Sequence, residues 1–364
     1  MIQPEDETGT VPRGQALRGR GAASNASGRF EGAVRVTVDD GWAEEGATVL
    51  RTEVRLERPR SAISYNASPD LPFDRSINPY RGCEHGCAYC YARPSHAYLN
   101  LSPGLDFETK LIARPGIGAV LAAELRARAY RPAVIAIGTN TDPYQPIERE
   151  HRVMREVLEV LADFHHPVAV TTKGTLIERD LDILGAMGRA GLARVGVSMT
   201  TLDADLSRSL EPRAPSPKRR LAMIRRLAEA GVPVRIMVAP VIPGLTDPEL
   251  EAILKAARDA GAVAASWIML RLPGEVEGLF RDWLAAHAPG RADKVLARLA
   301  DLHGGAVYNA QFGTRFRGRG VWSNLMGKRF DLALARLGMV HRLPPLRCDL
   351  FAPPLRAGDQ LSLF

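Results

Sequence analysis

Cysteine is scarce in this 364-residue chain, with four thiols in all. That is too few for a disulfide framework. Three of the four, Cys83, Cys87 and Cys90, share one short run, so they read as metal ligands in a reducing compartment. The sequence also lacks any apolar run near the ~20 residues that a membrane-spanning helix needs. Its opening, Met1-Ile2-Gln3-Pro4-Glu5-Asp6-Glu7, is acidic and has no apolar core, which predicts no secretory signal. These absences point to a cytoplasmic protein without a membrane partner. Apolar residues make up 46%, enough for a large core, in one large domain with extensions or in two domains. The net charge of +7 favours polyanionic partners weakly, and an Arg-rich solvated surface would give the same value.

Residues 1–30 are rich in Gly, Ala, Ser and Arg without an apolar period, which predicts a flexible arm. Residues 31–75 form an N-terminal extension, in which 33–38 and 48–54 alternate as strands do. From residue 76 short apolar strands alternate with amphipathic helices. Strands are expected at 76–80, 134–137, 168–171, 195–198, 234–238 and 266–270. Helices are expected near 117–129, 148–164, 178–190, 216–230 and 247–260, with Gly191, Gly231 and Gly261 as C-terminal caps of the last three. This alternation means a parallel sheet in an α/β fold. Periodicity fits a partial six-stranded barrel and an open doubly wound sheet equally. In both, functional loops follow the C-terminal ends of the strands.

The first such loop reads Arg81-Gly82-Cys83-Glu84-His85-Gly86-Cys87-Ala88-Tyr89-Cys90-Tyr91. Its CxxxCxxC spacing offers three thiolates, one short of closing a four-coordinate site. A [4Fe-4S] cluster held this way keeps one iron open for a non-protein ligand. Zinc is the alternative, with His85, His96 or Cys348 as a fourth ligand, but zinc motifs usually run in CxxC pairs and no second pair exists.

With these residues in place, the chain resembles the radical S-adenosylmethionine (SAM) superfamily. More narrowly, it resembles the DNA-repair photolyase-like group related to spore photoproduct lyase. The segments that carry the resemblance are Ser76–Cys83, Cys90–Arg93, Gly138–Pro146, Thr171–Lys173 and Glu211–Pro215. The resemblance implies a partial (β/α)6 TIM-like barrel over 76–275 with N- and C-terminal extensions. It implies that Cys83, Cys87 and Cys90 hold a [4Fe-4S] cluster and that SAM chelates the fourth iron. An electron donor such as flavodoxin or ferredoxin would reduce the cluster, and a 5′-deoxyadenosyl radical would abstract hydrogen from the substrate. Tyr89 would pack near the adenine. Thr139, Asn140 and Thr141, with Asp142, stand where many members carry Gly-Gly-Glu for the methionine ammonium. Lys173 and Arg213 are candidates for the SAM carboxylate, and Ser198 and Thr200 for the ribose. Spore photoproduct lyase uses a thiol within its barrel to return a hydrogen atom. This chain has no Cys between Cys90 and Cys348, so Cys348 is a weak hydrogen-donor candidate, and the expectation is a protein that is not a true spore photoproduct lyase.

Beyond the core, 276–350 is expected to cover the substrate. There Arg315, Arg317 and Arg319 interleave with Phe316, followed by Lys328 and Arg329, a pattern suited to single-stranded or flipped nucleic acid. The tail 351–364 ends in Gln360-Leu361-Ser362-Leu363-Phe364. This run resembles the peptide that docks on the bacterial sliding clamp. The leading expectation is therefore a radical SAM enzyme of a DNA-repair-like kind. Radical modification of RNA or protein, or a non-catalytic clamp-associated iron–sulfur protein, are the alternatives.

Overall fold

Two strands precede the core, Glu53–Leu56 (β1) and Ile63–Tyr65 (β2). The core adds Arg75–Ile77 (β3), Tyr80–Arg81 (β4), Lys110–Ala113 (β5), Ile135–Ile137 (β6) and Val168–Thr172 (β7). Ala193–Met199 (β8), Val234–Val241 (β9) and Ala264–Met269 (β10) complete it. The computed structural model describes residues 19–25, 27–30 and 50–355. The expected strand at 33–38 lies outside them.

The main sheet runs β10-β9-β8-β7-β6-β3-β2, parallel from β3 to β10, with β2 antiparallel at the edge. The six parallel strands keep their chain order across the sheet. A doubly wound sheet reverses that order at its switch point, so the connectivity decides for the barrel type. One face of each strand is apolar: Val195, Val197 and Met199 on β8 are fully buried under helices such as Leu181–Arg189 and Pro217–Glu229. The other face of β8 carries Arg194, Gly196 and Ser198 and lines the concave side. Ser216 caps helix Pro217–Glu229 by accepting from the Arg219 amide. Gly191, Gly231 and Gly261 sit in left-handed backbone after their helices, at φ of 73°, 87° and 106°, as their sequence positions predicted.

The C-terminal third has three parts. Helices Val276–His287 and Pro289–Leu302 form an apolar cluster with Cys87, Ala88 and Tyr89, so this region covers the cysteine loop. Helix Gly320–Leu337 packs on helix Leu250–Asp259, and Arg329 donates from Nε and Nη2 to the two carboxylate oxygens of Glu251 at 2.8 and 2.6 Å. Arg329 is therefore a packing residue rather than part of a free basic loop. The chain from 339 then crosses the N-terminal ends of the strands. Val340 pairs with Ala264, the Arg347 amide donates to the Gly191 carbonyl at 3.0 Å, and the Ala352 amide donates to Phe164 at 3.0 Å. This places Cys348 at the end of the sheet opposite the cysteine loop, which removes it as a hydrogen donor to a radical formed there.

The expected flexible arm also needs correction over its described part. The Gly21 and Ala22 amides donate to the two oxygens of Glu108, and Asn25 exchanges hydrogen bonds with Asp106. A Cβ on Gly21 would lie 1.6 Å from the Gly86 carbonyl oxygen, so the segment packs directly on the cysteine loop. Polar composition predicted disorder, but backbone amides meeting a buried carboxylate provide the order.

Candidate cluster and SAM site

The cysteine loop follows β4, which pairs with β5 and β1 in a separate small sheet just past the C-terminal end of β3. Cys83 and Cys87 are buried and Cys90 is half-buried. The loop is anchored by backbone contacts: the Cys83 amide donates to Phe107 at 2.9 Å and the Ala88 amide to Leu210 at 2.9 Å. Gln145, fully buried, accepts from the Glu84 amide at 2.8 Å and donates to the Gly82 carbonyl at 3.1 Å. Arg93, also fully buried, donates to the Cys87 carbonyl at 3.0 Å and pairs with Glu108.

Asp142 joins three strand ends. It accepts from the Thr172 hydroxyl at 2.6 Å, the Lys173 amide at 2.7 Å and the Tyr144 amide at 2.9 Å, and it lies 3.4 Å from His85 Nδ1. Burial alone would raise its carboxyl, but His85, the Lys173 amide and Thr172 together hold it well below the usual carboxylate range. Gly138 lets this loop fold onto β7: its φ is 86°, and a Cβ there would meet the Thr171 carbonyl oxygen at 1.9 Å.

A second buried centre lies beside the thiols. The Glu211 carboxylate pairs with Arg220 and accepts from the Tyr89 hydroxyl and, at 3.1 Å, from Thr200. Burial opposes its charge, yet Arg220 and Lys173 bring it down to about 2. Lys173 Nζ stands 5.8 Å from the Tyr89 ring centroid. Among the described residues its ammonium has no hydrogen-bond or ion-pair partner. Burial would strip its proton, but Cys87 and Glu211 outweigh that and raise it above the ordinary lysine value.

These contacts sort the expected SAM ligands. The Thr141 hydroxyl donates to Tyr80 at 2.9 Å, Ser198 to Ala239 at 2.8 Å, and Thr200 belongs to the Glu211 centre. Arg213 pairs with Glu84 at 3.0 Å. Lys173, Asn140 and the Thr139 side chain keep uncommitted heads among the described residues. Sequence reasoning missed Gln145, Arg93 and the Glu211–Arg220 pair as supports of the loop. Arg93, Gln145 and Glu211 lie in segments that carried the resemblance, but their role as buried supports appears only once the fold encloses them.

A three-thiolate iron–sulfur cluster fits this site. Burial pushes the Cys83 thiol well above its ordinary range and the Cys87 thiol up to about 12, so these thiolates form when iron takes them. Lys173 supplies the countercharge.

On the open side of the sheet, between β10 and the β2–β3 edge, guanidiniums and rings alternate. Arg271, just past β10, lies 5.0 Å from the Tyr91 ring centroid, 5.9 Å from Tyr308 and 4.8 Å from Phe316. Arg315 lies 4.8 Å from both Phe316 and Phe312. Arg315 also pairs with Asp70 at 2.8 Å and donates to Ser68 at 2.7 Å, so it ties this segment to the chain ahead of β3. Arg317 lies 5.0 Å from the Trp267 ring, and Arg319 donates to Gln311 at 3.2 Å. Both are exposed. Among the described residues no helix is long and apolar enough to cross a membrane.

An uncharacterized protein of Mycobacterium tuberculosis is 39% identical over 235 residues, covering 64% of this chain and 68% of that one. One of Methanocaldococcus jannaschii is 27% identical over 173 residues, covering 48% and 62%. Spore photoproduct lyase complexed with dinucleoside spore photoproduct shares the fold, with a TM-score of 0.57 at 15% identity over 79% of this chain and 81% of that one. The family model of the radical SAM superfamily matches residues 77–257, from the first core strand through the cysteine loop to the helix before β10. The three-thiol loop, at the end of the first strand of an order-preserving parallel sheet, thus belongs to a radical SAM enzyme, and the chain is a member of that superfamily.

Proposed function

We propose that this enzyme directs radical chemistry at nucleic acid, in a DNA-repair-like reaction. Cys83, Cys87 and Cys90 would hold the [4Fe-4S] cluster, and Lys173, Asn140 and Thr139 are the side chains with free heads to orient SAM. When bound, cluster and SAM together supply a 5′-deoxyadenosyl radical. The chain's own part is to fix the loop through Gln145 and Arg93, to keep Lys173 cationic, and to cover the site from water with helices Val276–His287 and Pro289–Leu302.

One observation carries the choice of nucleic acid: the stack Tyr91–Arg271–Phe316–Arg315–Phe312 at the barrel's open side. It ends in exposed rings, Tyr91 at 44% and Phe312 at 56% exposure. Every base has a face to stack on such a ring, and exposed Arg317 and Arg319 add phosphate contacts. The likeness to a DNA-lesion enzyme supports the same reading through fold alone.

The test is binding of single-stranded and duplex DNA by fluorescence anisotropy. Wild type should prefer the single strand, and Phe312→Ala should weaken it about tenfold. Equal affinity of wild type and variant would reject the stack as the nucleic-acid surface. We further propose that Gln360–Phe364, outside the described residues, dock on a sliding clamp. Deleting them should abolish clamp binding and leave SAM cleavage intact, and unchanged clamp affinity would reject that role.

A further inference from the structure

Bulky branched side chains fill the interior of a closed eight-stranded barrel in layers. In this chain the concave face carries small residues near the N-terminal ends of its strands. One row across the strands carries Ser76, Ala136, Ala169 and Arg194. The next carries Thr171, Gly196, Arg235 and Ala264. A Cβ on Gly196 would meet Met237 Sδ at 2.8 Å and Thr171 Oγ1 at 3.4 Å, so these rows lie on the face opposite the helix-covered valines. Small residues thus surround two arginines.

Neither arginine has a counterion. Among the described residues the half-buried Arg194 side chain makes no hydrogen bond or ion pair. Arg235 reaches the His341 carbonyl at 3.4 Å, and its buried Nε has no partner. Burial, then Arg194 and Arg342, lower the Arg235 guanidinium, so a third positive charge from the crossing tail adds to the repulsion. Several other partly buried arginines have an acid partner, Arg75 with Asp74, Arg114 with Glu57 and Arg179 with Glu148 and Asp180, while Arg126 and Arg271 lack one but lie against aromatic rings. Like charges that lose hydration without an opposite charge are costly, and an anion with oxygen acceptors relieves both costs.

We propose that Arg194 and Arg235 form an anion site for a phosphate or phosphodiester on the concave floor. Arg194, near the start of β8, precedes Thr200, just past its end, by six residues or about 20 Å of extended chain, so this ligand binds apart from the reacting atom. The site stands whether or not the enzyme's substrate is nucleic acid.

The experiment is isothermal titration of full-length protein with inorganic pyrophosphate and, separately, with single-stranded hexathymidylate. Arg194→Gln and Arg235→Gln should each weaken pyrophosphate binding about tenfold, and Arg194→Lys should keep most of it. Unaltered melting temperatures would show that the variants fold. Equal pyrophosphate affinity in wild type and the double Gln variant, or no binding by wild type, overturns the proposal. A parallel loss for hexathymidylate identifies a phosphodiester as the occupant. Loss for pyrophosphate alone supports the site with a smaller phosphate ligand, leaving the nucleic-acid surface to its own test.

Discussion

The two ends of the sheet treat charge in opposite ways. At the C-terminal rim, Glu211 meets Arg220 and Glu108 meets Arg93, both pairs buried around the cysteine loop. On the floor, Arg194 and Arg235 share one face of neighbouring strands with no acid partner. Paired buried charges hold a loop in one geometry, because breaking either partner strands the other away from water. Unpaired ones hold nothing in place; they wait for a ligand. The difference separates residues that build the site from residues that would bind something at it.

Several substitutions probe this contrast. The largest effect should come from Glu211→Ala, which leaves Arg220 buried without its carboxylate. A loss of about 3–5 kcal/mol in urea unfolding is expected. A change below 1 kcal/mol, on the order of a surface pair, would show that this centre is not structural.

Next is acid sensitivity at the floor. His166 is fully buried, bonds Tyr130 at 2.7 Å and packs edge-on to Phe351 of the crossing tail at 5.4 Å. Burial lowers its pKa from 6.5 to about 4. The unfolded chain therefore takes up the proton first as pH falls. Stability is full above 6.5 and declines toward 4, by at most about 3 kcal/mol from this group. His166→Gln should flatten that slope, and an unchanged pH profile would contradict the assignment.

The smallest effect should be Arg194→Gln, expected within about 0.5 kcal/mol of wild type because no partner is lost. A large destabilisation would mean that the arginine is structural and would blur the contrast.

Much of this was legible in the sequence. The cysteine spacing and the βα alternation set the loop on the first strand of a parallel sheet. Strand period and helix caps are local signals, and β8 and helix Pro217–Glu229 fall where they were expected. Barrel against doubly wound sheet was not legible, because strand order is a long-range property. Thr141, Ser198 and Thr200 were expected at SAM; the bonds their hydroxyls also make within the protein were not legible, since a hydroxyl near a strand end meets a neighbouring carbonyl as readily as a ligand. Arg315 was expected at nucleic acid, and its ion pair with Asp70, some 245 residues earlier, was not legible. Arg271 and the Arg194–Arg235 pair gave no sequence signal, because their meaning lies in what surrounds them once folded.

The most direct test is anaerobic reaction of the reconstituted, reduced enzyme with SAM and deuterated single-stranded DNA. The account predicts 5′-deoxyadenosine from wild type, none from Cys87→Ala, and deuterium from the DNA in that product. 5′-Deoxyadenosine free of deuterium in the presence of the labelled strand would contradict nucleic acid as the target, and its formation by Cys87→Ala would contradict the three-thiol site itself.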